Sequence, residues 1–287
     1  MRSPVPFSRR VSYRLSVCLL IALFRTVPGA PLIVAANRDE RLDRPAVPMT
    51  VLRDAHPRIL GGRDELAGGT WLAVNQHGVV AGLTNQPSPG GRDPVKRSRG
   101  EIPLKFASYR TASAAVTEVC ATLDPAVYNP CWMFVGDRES LYFIEINGAA
   151  EIAPVELGPG LHVLENAPLR PRSAKALLVT DLVSHALQKQ PEAGPDAAVA
   201  ALETVLGDHR PARAQDAADA ATGRVLPAAV SAACVHADGY GTRSALTVSV
   251  PVSGRPGVRV AQGRPCENAL HDVSQLWTAA APAGPAA

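Results

Sequence analysis

The chain has 287 residues, 46% of them hydrophobic and 19% charged, a balance that excludes an intrinsically disordered protein. A chain this long buries a substantial core, as one large domain or two small ones. The net charge of +3 is concentrated at the start, where Arg2, Arg9, Arg10 and Arg14 stand without an acidic residue; the remainder is close to neutral, with no basic run interleaved with aromatics, which argues against nucleic-acid binding.

Residues 1–17 are basic and followed by apolar residues up to Phe24, in the manner of a secretory leader. Two details argue against that reading. A cut after Ala30 leaves Pro31 first, a poor position for signal peptidase, and a lipoprotein-type cut before Cys18 follows the bulky Val17. The apolar run is also too short to span a bilayer. A further reading starts translation at Val17, because GTG encodes valine internally and initiates many bacterial proteins as Met. Removal of that Met exposes Cys18 with a free amine and leaves 1–17 as a leader from an upstream start. Heavy use of Ala, Pro and Arg reads as the coding bias of a GC-rich bacterial genome.

Residues 18–24 and 32–36 are short, apolar and strand-like, joined by a turn at Val27-Pro28-Gly29. Residues 37–44 are polar and read as loop, and Gly61-Gly62 and Gly68-Gly69 bracket a second one. Residues 71–74 and 79–83 form another hairpin, whose second strand ends at Thr84-Asn85. Residues 87–99 read as a mobile loop. Helices are expected at 102–109 and 112–123, then strands at 131–135, 141–146, 152–155 and 161–164, then helices at 173–187 and 197–206. Residues 212–224 are Ala-rich and fit helix or loop. Strands at 232–236, 244–250 and 258–261 close the chain, with a disordered tail at 279–287. Strands in blocks, then helices, then strands again suit antiparallel sheets with helices outside them, not a parallel βαβ alternation.

The cysteines are Cys18, Cys120, Cys131, Cys234 and Cys266. Their odd number and the lack of a C-x-x-C pair predict reduced thiols in a cytoplasm, with no zinc site, redox pair or disulfide framework. No histidine pair has metal-ligand spacing on one helix face, and no metal or cofactor is expected.

Cys18 is the candidate nucleophile. A cysteine in an apolar run is ordinarily a small buried hydrophobe. An N-terminal cysteine differs in carrying its own base, since an α-amine titrates near ~8 and a thiol near ~8.5, both close to working pH. Arg38 is placed to stabilise a thiolate and Asp39 to hold the α-ammonium, against the plainer reading of an exposed loop ion pair. Asn85 and Asn166, at strand ends, are candidate oxyanion donors or simple turn residues. Arg243 follows a turn at 239–242 and fits a partner for Asp39, an acidic substrate group, or a solvated hairpin arginine. Asp64, Glu65, Arg99 and Glu101 read as solvated or structural charges, His77 as an exposed turn residue and His162 as a core residue.

These blocks, Ala35-Ala36-Asn37-Arg38-Asp39-Glu40, Arg44-Pro45, Gly68-Gly69-Thr70-Trp71-Leu72, Leu83-Thr84-Asn85, Ser98-Arg99-Gly100-Glu101, Leu164-Glu165-Asn166-Ala167 and Gly239-Tyr240-Gly241-Thr242-Arg243, occur in one order. In that order they resemble the NRDE family, whose eukaryotic members are called transport and Golgi organisation protein 2. The resemblance runs from Cys18 nearly to the end and implies one domain over 18–278. Family members typically begin Met-Cys, which matches Val17-Cys18. It implies an α+β fold, a four-layer αββα sandwich of antiparallel sheets, similar to N-terminal nucleophile hydrolases that cut linear amides. It further implies Cys18 as nucleophile, Arg38 and Asp39 as its positioning groups, Asn85 and Asn166 as the oxyanion hole and Arg243 as a buttress, with Asn37, Trp71 and Thr84 contacting substrate.

Two functions follow. The first is a cysteine amidohydrolase or acyltransferase acting on a small acylated amide or thioester. The second is a non-catalytic carrier or chaperone for haem or acyl lipids on the same fold. Either implies a small-molecule partner, with no nucleic acid and no stable membrane insertion.

Overall fold

The computed structural model describes residues 18–88, 90–189, 194–212 and 228–279. The expected leader, most of the Ala-rich stretch and nearly all of the expected tail lie outside the described residues.

The first strands are β1 (Leu19–Val27), β2 (Ala30–Arg41), β3 (Ala46–Arg53), β4 (Ile59–Asp64), β5 (Leu72–Asn75) and β6 (Val80–Asn85). Helices α1 (Glu101–Phe106) and α2 (Ala112–Thr122) follow, then β7 (Cys131–Gly136), β8 (Leu141–Ile146), β9 (Val155–Glu156) and β10 (Gly160–Leu164). The chain then forms α3 (Ala174–Gln188), α4 (Pro195–Leu206), β11 (His236–Ala237), β12 (Tyr240–Val250), β13 (Gly257–Gln262) and β14 (His271–Asp272).

Two antiparallel sheets result. One runs β10-β1-β2-β12-β13-β14, with β11 beside β12; the other runs β3 to β9 in sequence order. Alternation of side chains along each strand divides the core into layers. Leu20, Ala22, Leu32, Val34 and Ala36 face the second sheet and pack with Leu60, Leu72 and Val74. Leu19, Ile21, Ile33 and Ala35 face outward and pack under Val179 and Val183 of α3 and Leu202 and Val205 of α4. Ala81, Met133, Val135 and Ile144 of the second sheet pack under Ile102 and Phe106 of α1 and Val116 and Val119 of α2. The fold is therefore an αββα sandwich. Strands covered on both faces explain why β1, β2 and β7 are apolar runs rather than alternating ones.

Residues 37–41, expected as loop, belong to β2. That strand is central: Asn37 pairs with both Leu19 and Ala245, Arg38 with Ser244, Asp39 with Thr242 and Glu40 with Gly241. Pairing with β1 ends at Asn37, but the ladder to β12 runs on to Arg41 and carries the polar side chains as strand. The register shifts between Thr242 and Ser244, which leaves Arg243 as the extra residue of a β-bulge. The strand β3 is not assigned from the sequence, and the end of β4 falls in the expected second loop; Pro48 and Gly61-Gly62 hide them. Glycine is needed there for close approach: a Cβ on Gly61 would stand 2.5 Å from the Leu72 carbonyl oxygen. The expected strand at 152–155 is only the two-residue β9, that at 232–236 only the two-residue β11, and β14 carries no strand-like pattern.

Among the described residues, no helix is long and apolar enough to cross a membrane.

Candidate functional site

Cys18 stands just before β1 and is buried. Its backbone nitrogen donates to Asn166 Oδ1 at 2.6 Å. Asn166 follows β10, which pairs with β1, so sheet registration alone brings Cys18 and Asn166 together. Asn166 Nδ2 donates to the Asn85 main-chain carbonyl at 2.6 Å, and Thr84 Oγ1 donates to the Glu165 carbonyl at 2.9 Å. These two bonds tie the end of β6 in one sheet to the exit of β10 in the other. The site thus sits where both sheets meet at one end.

The four signature residues divide by strand alternation. Arg38 and Glu40 point toward the second sheet, while Asn37 and Asp39 point toward the helices. Arg38 is buried, stacks on the Trp71 ring with its guanidinium carbon 4.6 Å from the ring centroid, and lies 3.5 Å from Asp64 and 3.9 Å from Glu40. Arg44 closes the network, 2.8 Å from Asp64 and 3.7 Å from Glu40. The Arg38 Nη1 has no hydrogen-bond partner among the described residues. Asp39 accepts a hydrogen bond from Thr242 Oγ1 at 2.5 Å, and its other oxygen lies 3.5 Å from Lys175 Nζ. Both partners of that ion pair are fully shielded from solvent.

Burial pushes the Cys18 thiol up to about 11; the Asp39 and Glu40 charges add to this, while Arg38 and the Asp39 backbone N–H oppose it. Burial also pushes the Asp39 carboxyl up to about 6, against the Lys175 charge and the Thr242 hydroxyl, which lower it. A thiol at about 11 is unreactive near neutral pH unless a base takes its proton.

Trp71 is held flat against the backbone. A Cβ on Gly62 would lie 2.1 Å from the indole ring, and one on Gly69 would lie 2.5 Å from the carbonyl carbon of Gly100. The Thr70 N–H donates to the Gly100 carbonyl at 3.0 Å. The glycines of both sequence blocks thereby seat the Trp71 and Arg99 segments against each other. Gly62→Ala is expected to displace the indole and lower stability by roughly 1–3 kcal/mol through overpacking. Chemical denaturation followed by tryptophan fluorescence checks this; an unchanged midpoint and emission maximum would contradict a flush ring.

Not every expected site residue gathers at Cys18. The Asn37 side chain faces the helices, where Nδ2 donates to the Leu206 carbonyl at 2.9 Å and the Ala233 carbonyl at 2.8 Å. Expected as a substrate contact, it instead ties α4 to the segment before β11. Arg243, expected as a buttress of the thiol site, donates to the Arg41 carbonyl at 3.1 Å and to the Leu42 carbonyl, bracing the end of β2. Thr84 spends its hydroxyl on the Glu165 carbonyl. Three residues read as solvated, structural or not at all belong to the neighbourhood. Asp64 holds Arg38; Arg99, half-buried and donating to the Pro130 carbonyl at 3.0 Å, is close enough for its charge to interact with Cys18; Lys175 pairs with Asp39.

The model of the family described as Transport and Golgi organisation 2 matches residues 17–258. The chain belongs to this family. A Transport and Golgi organization protein 2 homolog from Bos taurus is 31% identical over 233 residues, covering 78% of this chain and 83% of that protein. The Homo sapiens homolog is 28% identical over 232 residues with the same coverage. Among solved structures, a mutant conjugated bile acid hydrolase from Clostridium perfringens superposes with a TM-score of 0.52 at 8% identity, covering 90% of this chain and 93% of that one. A Caenorhabditis elegans N-acylethanolamine-hydrolyzing acid amidase ortholog gives 0.50 at 13% identity, covering 81% and 92%. At such identities the likeness establishes the fold, an N-terminal-nucleophile-hydrolase-like sandwich, and this Transport and Golgi organisation 2 family member shares it.

Proposed function

We propose that the protein is a cysteine amidohydrolase or acyltransferase that takes the acyl group of a small amide or thioester onto Cys18. The observation that carries this reading is the 2.6 Å contact between the Cys18 nitrogen and Asn166 Oδ1, which would hold an α-amine beside its own sulfur in a buried site. The family match beginning at residue 17 supports a working chain that starts at Cys18.

In this reading the free α-amine takes the thiol proton, directly or through one water, and the sulfur attacks the substrate carbonyl. The negative charge moves to the carbonyl oxygen. The Asn85 side-chain amide and the second N–H of Asn166 Nδ2 would serve as donors to that charge, since Asn166 spends one N–H on the Asn85 carbonyl and an amide has two. The ammonium returns its proton to the leaving amine or thiolate as the bond breaks, leaving a thioester. Water, deprotonated by the same amine, then releases the acid; an acceptor amine in its place gives acyl transfer. Arg38 offers its Nη1 donor to thiolate or substrate, and Trp71 fixes its plane.

The test compares a chain made to begin at Cys18 with the 287-residue chain. Both are offered an activated acyl ester, and intact mass with peptide mapping locates the acyl group. Acylation of Cys18 is expected only where the amine is free, because an internal residue offers an amide and a thiol held at about 11. Equal acylation of both chains contradicts the amine mechanism. Stoichiometric retention of haemin or an acyl lipid by the Cys18 chain, without turnover, would favour the carrier reading instead.

A further inference from the structure

Away from Cys18, three separate segments bring two cysteines and two histidines together. His209 follows α4, Cys234 stands just before β11, His236 opens β11, and Cys266 follows β13. One ligand atom from each lies within 4.8 Å of all the others. The Cys234 and Cys266 sulfurs are 3.7 Å apart, and His236 Nε2 is 3.6 Å from Cys234 Sγ and 3.3 Å from Cys266 Sγ.

These separations are those of a tetrahedral metal shell. With metal–sulfur bonds of about 2.3 Å and metal–nitrogen bonds of about 2.0 Å, tetrahedral angles place two sulfurs about 3.8 Å apart and sulfur and nitrogen about 3.5 Å apart. A disulfide requires about 2.05 Å between sulfurs. The His209 and His236 rings meet edge to face with centroids 4.7 Å apart, which keeps both within reach of one centre.

We propose that His209, Cys234, His236 and Cys266 bind one zinc ion. Two thiolates neutralise a dication, and a Cys₂His₂ set suits zinc better than the oxygen-seeking ions. Arg264, whose charge reaches His236, is paired with Glu267 at 3.2 Å, which limits its repulsion of the ion. Four protein ligands leave no open position, so the ion is structural.

The scaffold around the four ligands is built. The Cys234 N–H donates to the Asp208 carbonyl at 2.8 Å, and a Cβ on Gly207 would stand 3.6 Å from the Cys266 backbone. The Asn37 amide grips the carbonyls of Leu206 and Ala233, each close in sequence to a ligand. The Val235 N–H donates to Thr242 Oγ1 at 2.9 Å, and that hydroxyl donates to Asp39. The ion therefore staples the α4 exit, the β11 approach and the β13 exit behind the strand that carries Asn37 and Asp39. Ligands drawn from three segments explain why no spacing in the sequence predicted a metal.

The test uses the full chain, reduced, stripped with chelator and exchanged into zinc. After gel filtration, elemental analysis is expected to find one zinc per chain, with an increase in Tm over the stripped protein. Cobalt(II) in place of zinc is expected to give intense tetrahedral d–d bands and a thiolate-to-metal charge-transfer band. Cys266→Ser and His209→Ala alter exposed residues that the fold does not need, so these variants are expected to keep their circular dichroism while losing the charge-transfer intensity and the Tm gain. Substoichiometric zinc in the reduced wild type, a pale octahedral cobalt spectrum, or unchanged zinc retention in a Cys234→Ser/Cys266→Ser variant overturns the assignment.

Discussion

Replacing Cys18 by alanine is expected to abolish acyl transfer, by at least about 10⁴-fold, while leaving the sandwich folded. The sulfur is the atom that would accept the acyl group, and nothing else in the proposed site replaces it. The cost to folding is small, because Cys18 precedes β1, contributes no ladder bond of its own in that hairpin, and its backbone nitrogen stays on Asn166. Cys18→Ser keeps shape and hydrogen bonding but offers a poorer nucleophile, so it should acylate slowly rather than not at all. The measurement is acyl-enzyme formation by intact mass, with circular dichroism as the control. A folded Cys18→Ala protein that turns over its substrate at the wild-type rate would remove Cys18 from the chemistry.

The second large effect concerns the buried pair Lys175–Asp39. Lys175→Met keeps much of the volume and removes the charge, leaving the Asp39 carboxylate buried with only the Thr242 hydroxyl opposite. Breaking such a pair costs about 3–5 kcal/mol. The loss depends on pH, and its sign is fixed by the direction of the Asp39 shift. Burial holds the folded carboxyl up to about 6, above its ordinary value of 3.8, so the folded state binds this proton more tightly. The stabilising contribution is fully present below 3.8 and is lost as pH rises through 6. Removing Lys175 removes groups that lower that value and drives it further up. Urea denaturation of Lys175→Met should therefore show a larger deficit at pH 8 than at pH 5, where Asp39 is neutral. Asp39→Asn/Lys175→Met should recover most of it. Equal deficits at both values would mean that Asp39 carries no charge in the wild type.

Much of the architecture was legible because burial on both faces writes apolar runs directly into a strand. Residues 18–24, 71–83, 131–135 and both long helices followed from that pattern. The polar part of β2 was not, since polarity was read as loop while the ladder to β12, more than 200 positions away, is what makes it strand. Once 37–41 are extended, period two alone separates Asn37 and Asp39 from Arg38 and Glu40. Lys175 also had a signal that was passed over. It stands four and eight residues before Val179 and Val183, on the stripe of α3 that packs on the sheet, and a lysine there must find a buried anion. Asp64 had none and Arg99 only its place in one of the family blocks, because their importance rests on Gly62, Gly69 and Gly100 letting distant segments touch.

The unpaired position in β12 has a geometric corollary. Upstream of it Thr242 opposes Asp39, and downstream Ser244 opposes Arg38, so one inserted residue resets the parity of the strand. Were Arg243 paired in a regular ladder instead, it would oppose Asp39 and Thr242 would oppose Glu40, turning the Thr242 hydroxyl to the opposite side, away from Asp39 and from the Val235 amide that shares it. What the bulge does, then, is leave position 243 out of the count. Exchanging Arg243 for another side chain leaves that offset intact, and deleting it would straighten the ladder with Thr242 still facing the carboxylate, at the cost only of the local kink and of the bonds to the Arg41 and Leu42 carbonyls.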